Sequence, residues 1–211
     1  MPLSPEIIRG TYKPLRMIFW GGLLCIFDIT FTTTSNGSGF TFDVLNDVVG
    51  CAMIAWGVSR LGPLPVDSRY ATVMRLVKAV ALLSIPVAFF DQFVFQRPPT
   101  LELLEGAFQL VALAATVVFC IAMEWLCQAA CLTWSERSWR KTRWLFVLIY
   151  AIPLGLIDCV ALISSCMGRP FNVNLGIAGL LLLMPIFVVP PVHFFVSTSR
   201  MARAVDPNRL D

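Results

Sequence analysis

The sequence predicts an all-α, polytopic transmembrane bundle of six spans, paired as three helical hairpins, with both termini in the cytoplasm. Three observations predict it. The chain is 57% hydrophobic and only 14% charged, with a mean hydropathy of +0.77, whereas a soluble domain carries about a quarter charged residues. Apolar stretches recur at about 17–32, 40–59, 74–95, 106–132, 144–166 and 175–197, near the ~20 residues that a spanning helix needs. The bases between these stretches alternate in number. Of 16 Lys and Arg residues, all but Arg97 and Arg169 fall before the first stretch, between the second and third or in the first turns of the third (Arg75, Lys78), between the fourth and fifth, or after the sixth. Positive charge collects on the cytoplasmic side, so this 14-to-2 division sets the orientation.

Each span closes its own backbone hydrogen bonds, as lipid requires, and the ten-residue alternation of a membrane barrel is missing. With six spans and short loops, residues 1–211 form one transmembrane domain. The first span follows Arg9, Lys13 and Arg16 and could pass for a signal peptide. Asp28 interrupts it and no small-residue cleavage site follows, so it reads as a retained span. Residues 32–39 then form a polar outer loop rich in Thr, Ser and Gly. The second span opens on Asp43-Val-Leu-Asn-Asp47 and leads to an inner loop stiffened by Pro63 and Pro65. Pro86, Pro153, Pro185 and the pair Pro190–Pro191 interrupt later spans and favour kinks. Trp125, Trp134, Trp139 and Trp144, with Trp20 and Trp56, read as an aromatic belt at the cytoplasmic boundary. Gly21–Gly22 and Ala114–Ala115 allow helices to approach closely.

A repeat is visible at the outer turns. Phe27–Asp28, Phe90–Asp91 and Ile157–Asp158 lie late in outgoing helices, and Phe42–Asp43, Leu101–Glu102 and Phe171–Asn172 stand at the heads of the returning ones. Acids near helix N-termini complement the macrodipole, which accounts for Asp43, Asp47, Glu102 and Glu105 without any ligand. The alternative is functional. Asp28, Asp43 and Asp47, joined by Asp91 and Asp158, would line an outward-facing vestibule that binds a cation or protons, because converging carboxylates repel unless neutralised.

The run Phe27-Asp28-Ile29, Asp43-Val-Leu-Asn-Asp47-Val-Val-Gly50, then Gly57 and Leu61 resembles the first hairpin of a group of small bacterial multi-pass inner-membrane proteins. Their pattern is F-D-I followed by D-I-L-P-D-F-I-G, and Asn46 stands here where they have Pro. The likeness covers about the first quarter of the chain. It implies a bacterial inner membrane and no particular activity.

Counting outward from a turn centred near residues 99–100 sets Glu124 opposite Arg75, with Lys78 one turn away. An ion pair is expected there, as a structural clamp or as a gate. Seven cysteines lie in or beside spans without a CxxC pair, which argues against a disulfide framework. Cys120, Glu124, Cys127 and Cys131 share a helix face, but buried thiols explain it more simply than a soft metal does, and the metal question stays open. His193, the single histidine, reads as an interfacial residue or a proton-sensing one.

The sequence holds no HExxH, Gly-x-Ser-x-Gly, P-loop or dinucleotide fingerprint, so an enzyme is the least favoured class and no cofactor is implied. A cation- or proton-linked transporter or channel-like protein leads. A structural or accessory subunit of a larger membrane complex is the alternative, and a motif-poor lipid-processing enzyme the third. Expected partners are anionic headgroups at the cytoplasmic face, together with further copies of the chain or a larger complex. Nucleic acid is not expected, because the topology already explains the bases.

Overall fold

The computed structural model describes residues 3–26, 30–35, 38–43, 47–93, 99–167 and 176–204. Within them the chain forms a helical bundle with one β-hairpin. In order these are α1 (Pro5–Gly10), α2 (Tyr12–Ile26), β1 (Thr30–Ser35), β2 (Ser38–Asp43), α3 (Asp47–Leu61), α4 (Ser68–Phe93), α5 (Pro99–Ala129), α6 (Thr133–Phe146), a π-turn (Val147–Ala151), α7 (Ile152–Cys166) and α8 (Gly176–Arg203). Among the described residues, three stretches are long and apolar enough to cross a membrane: Ser68–Phe90, Leu104–Ala129 and Thr133–Ser164. The protein is a multi-pass membrane helical bundle.

Two expectations change at the first outer turn. The spans expected at 17–32 and 40–59 do not run to those limits as helix, and the polar loop between them is an antiparallel hairpin. Its register pairs Thr30 with Asp43 and Ser35 with Ser38. The physical reason lies in the residues: Thr30-Phe-Thr-Thr-Thr34 and Phe40-Thr-Phe42 are β-branched and aromatic, and such residues fit a strand better than a helix.

The helices pack as a closed ring. Going around it, α2 contacts α3, α3 contacts α4, α4 contacts α5, α5 contacts α6, and α8 lies between α6 and α2, while α7 rests on α5. The α2–α3 seam is the closest. A Cβ on Gly21 would lie 2.5 Å from the Gly50 carbonyl oxygen, and one on Gly57 would lie 2.7 Å from the Pro14 carbonyl oxygen. Small residues bring helices together in this way because lipid gives no hydrophobic drive for association. Gly22, by contrast, faces open space.

Buried apolar residues gather in the half of the bundle nearer the basic loops. Tyr70, Met74 and Val77 line one face of α4 and meet Phe119, Met123 and Leu126 of α5 in one cluster. Phe194 of α8 sits at the centre. Trp139 meets it edge-on at 5.1 Å, and Phe119 and Phe19 stack on it at 6.2 and 6.3 Å. Trp139 is fully buried, so it belongs to this core and not to the expected aromatic belt. Trp134, Trp144, Trp20 and Trp56 are exposed, as a belt requires.

Local chemistry fixes the ends. Asp67 accepts the Tyr70 backbone N–H at 2.6 Å and caps α4, and the Tyr70 hydroxyl donates to the Leu61 carbonyl at 2.9 Å, tying α4 to the end of α3. Helix α5 ends with Cys131 at φ 58°, and the Leu132 N–H then reaches the Cys127 carbonyl at 2.9 Å. That left-handed residue stops the helix in the usual way, although glycine is the common choice. The segment 133–143, read from sequence only as a basic connection, is helical and continues through the π-turn into α7. The π-turn ends two residues before Pro153, which has no N–H to donate and whose ring crowds the preceding turn.

Candidate functional site

The most organised polar structure is where α5, α6 and α8 meet at the basic end. Helix α6 reads Thr-Trp-Ser-Glu-Arg-Ser-Trp-Arg-Lys-Thr-Arg-Trp-Leu-Phe. Its Ser135, Ser138, Trp139 and Thr142 recur at three- and four-residue intervals and are buried. The charged residues therefore turn outward and a hydroxyl-bearing face turns in.

That face meets a matching one on α8. Ser138 Oγ and Ser197 Oγ lie 2.8 Å apart, and Thr142 Oγ1 lies 2.8 Å from Ser197 Oγ and 2.8 Å from His193 Nδ1. Thr142 also lies 3.1 Å from the Ser138 carbonyl oxygen, and Arg200 Nη1 donates to Ser138 Oγ at 3.3 Å. One chain thus runs from His193 through three hydroxyls to Arg200. Hydroxyls both donate and accept, so the direction of its hydrogen bonds can reverse, whereas the guanidinium only donates. The indole N–H of Trp139 and the hydroxyl of Thr198, both buried nearby, have no partner among the described residues.

Glu124 of α5 approaches α6 from its other flank. It is 5% exposed. Arg143 Nη1 lies 3.3 Å from its Oε1, and Arg140 Nε lies 3.7 Å from its Oε2. Arg140 also pairs with Glu136 at 2.5 Å, and Gln128 donates to Glu136 at 3.1 Å. The expected bases, Arg75 and Lys78, do not form this pair. Both are exposed on α4, and Arg75 Nε instead donates to the Ala71 carbonyl at 3.3 Å. Residues 75 and 78 each follow a core position, Met74 or Val77, by one residue. The helix therefore carries them about 100° away from α5. Counting outward from the turn gives depth but not helix face.

The described outer acids belong to four separate elements. Asp28 lies outside the described residues, as do Arg97 and Arg169. Asp43 ends β2, opposite Thr30. Asp47 is the first residue of α3, where its charge complements the helix dipole. The Cys25 thiol donates to the Asp47 carbonyl at 3.8 Å and lies 3.9 Å from the Cys51 sulfur. Asp91 is in the last turn of α4. Asp158 is half-buried on α7, with α4 and α5 standing between its helix and α3.

The chain matches no known family model, no curated protein and no solved structure.

Among the described residues no group of three or more His, Cys, Asp and Glu side chains could hold a metal. On the face expected to unite Cys120, Glu124, Cys127 and Cys131, the first three are buried and Cys131 is exposed. The Cys127 thiol points at the Met201 sulfur, 3.5 Å away, as packing sulfurs do. Sequence reasoning missed the hydroxyl network. Its trace was the spacing of Ser135, Ser138 and Thr142, with Ser197 one turn beyond His193.

Proposed function

We propose that this chain is a small proton-linked carrier or channel-like protein of the bacterial inner membrane. In this reading it has six spans, cytoplasmic termini, and an acidic outer end built from Asp28, Asp43, Asp47, Asp91 and Asp158. The hydroxyl chain from His193 to Arg200 carries the reading. Polar groups among membrane helices are costly and mark function by default, and histidine is the side chain whose proton exchanges near neutral pH. Thr142, Ser197 and Ser138 can hand a proton between His193 and the basic end. Arg200 cannot give up its own proton and serves there to orient the last hydroxyl.

The test is proton entry into proteoliposomes that hold a pH-sensitive dye and are driven by a potassium diffusion potential. Expected are entry with the unaltered protein, loss with His193→Gln and reduction with Asp47→Asn. No entry with a folded protein sinks the proposal.

A second reading, an accessory subunit of a larger complex, is favoured by α7. Leu148, Ile152, Leu156, Val160 and Ile163 form an exposed apolar stripe along that helix and the π-turn before it, open to lipid or to another helix.

A further inference from the structure

A groove opens at the basic end, beside the hydroxyl chain but facing outward. It measures about 240 Å³ and is lined by Trp134, Ser135, Arg200, Arg203 and Ala204, several times the ~30 Å³ that one water occupies in the liquid. Two helix ends of matching polarity form it. Trp134 and Ser135 belong to the first turn of α6, where Leu132 provides no side-chain cap. The leading N–H groups there are free for an anion. Arg200 and Arg203 belong to the last turn of α8.

Three features distinguish this groove from general basic surface. Ser135 is 1% exposed and lines the groove, yet its hydroxyl has no hydrogen-bond partner among the described residues. Arg203 has neither an ion pair nor a hydrogen bond among them. Trp134, 80% exposed, borders the groove as an amphipathic ring at the level where headgroups lie.

We propose that this groove binds a phosphate group, with the Arg200 and Arg203 guanidiniums, the Ser135 hydroxyl and the α6 N-terminus as donors. Guanidinium forks suit phosphate oxygens, a helix N-terminus adds uncapped N–H groups, and the indole covers the apolar part of an attached lipid. The inference shares Arg200 with the proton-linked reading, but Ser135, Arg203 and the α6 N-terminus take no part in that reading, and the groove stands or falls on them.

The test uses the full-length protein in nanodiscs. Native mass spectrometry measures retention of phosphatidylglycerol against phosphatidylcholine. In a separate arm, inorganic phosphate is titrated into the protein in phosphatidylcholine nanodiscs while the thermal midpoint is read. Arg203→Gln and Ser135→Ala alter the groove, and Lys141→Gln removes an equal charge from the exposed side of α6. Without the charge-assisted hydrogen bonds of Arg203, binding weakens about tenfold. Ser135→Ala is expected to weaken it less, and Lys141→Gln less than about twofold, since it removes only a screened surface charge. Retention of phosphatidylglycerol without a phosphate response identifies a lipid headgroup as the source, and a phosphate response alone identifies a free phosphate. Neither response, equal losses in Arg203→Gln and Lys141→Gln, or binding unchanged in all variants overturns the site.

Discussion

Helices α2 and α3 are joined by the absence of side chains, and helices α6 and α8 by their presence. At the first seam Gly21, Gly50 and Gly57 let backbone meet backbone, so that any added carbon strikes a carbonyl oxygen or a core side chain. At the second, Ser138, Thr142, Ser197 and His193 hold the helices through 2.8 Å contacts between polar atoms. Both solve the same problem, since lipid offers no hydrophobic reason for two helices to associate. Their tolerances differ. Steric contact fails abruptly, because interiors have no spare volume. A hydrogen-bonded seam loses strength by increments, because its groups find other partners.

Gly57→Val tests the abrupt seam most severely. The added carbon would lie 2.6 Å from Ile18 Cγ1, and overpacking of this kind costs about 3 kcal/mol. Steric-trap unfolding in bicelles measures it, and a loss as small as a hydroxyl deletion would erase the contrast between the seams.

The Glu124 cluster ranks next. Arg143, with 24% side-chain exposure against 50% for Arg140, makes the less hydrated contact. Arg143→Ala should cost about 2 kcal/mol, below the ~3–5 kcal/mol for stranding a buried acid, because Arg140 stays beside Glu124. Arg140→Ala should cost under ~1 kcal/mol, as for exposed pairs. The same unfolding experiment ranks the two, and the reverse order would put the exposed arginine in charge of Glu124.

Ser197→Ala removes the hub of the graded seam and should cost about 1 kcal/mol, within the range for hydrogen bonds between membrane helices. A double-mutant cycle with Ser138→Ala isolates the direct term, and a coupling near zero would mean that the hydroxyls only fill space.

Gly22→Ala is the smallest change and has the opposite sign. Its Cβ meets nothing within 4 Å, so relief of glycine's helix penalty should add about 0.5–1 kcal/mol. Destabilisation there would show a neighbour of Gly22 that its open surroundings do not indicate.

The sequence conveyed chemistry better than geometry. Membrane class followed from hydropathy, and the close approach at Gly21 was legible because glycine has few other uses within a helix. The hairpin is invisible to hydropathy, which counts Thr30–Thr34 and Phe40–Phe42 with the apolar stretches on either side and ignores their strand pattern. Asn36-Gly37 between two such runs is a strong hairpin signal. Glu124 was expected to pair with Arg75 or Lys78, whereas the arginines beside it, Arg140 and Arg143, lie in α6, whose helical character is hidden within a basic connection. Trp139 was grouped with the other tryptophans by sequence position. Its burial follows from sharing a face with Ser135, Ser138 and Thr142, a pattern visible only once the segment is taken as helix. The outer carboxylates gave the least, since an acid that caps a helix and an acid that binds a cation have the same sequence signature.

The hairpin has a consequence for the membrane itself. Its outer strand edges carry backbone groups that hydrocarbon cannot satisfy, so it belongs at the headgroups or above them. Below it, α2 and α3 have 15 residues each, which rise only about 22 Å. Helix α5, with 31 residues, rises about 46 Å. In the six-span reading proposed above, the α2–α3 flank would fit a hydrocarbon layer thinner than the usual ~30 Å, and the α5 flank would not. A bilayer that wets both would then slope around the molecule, and the thin flank would gather short or loosely packed lipids.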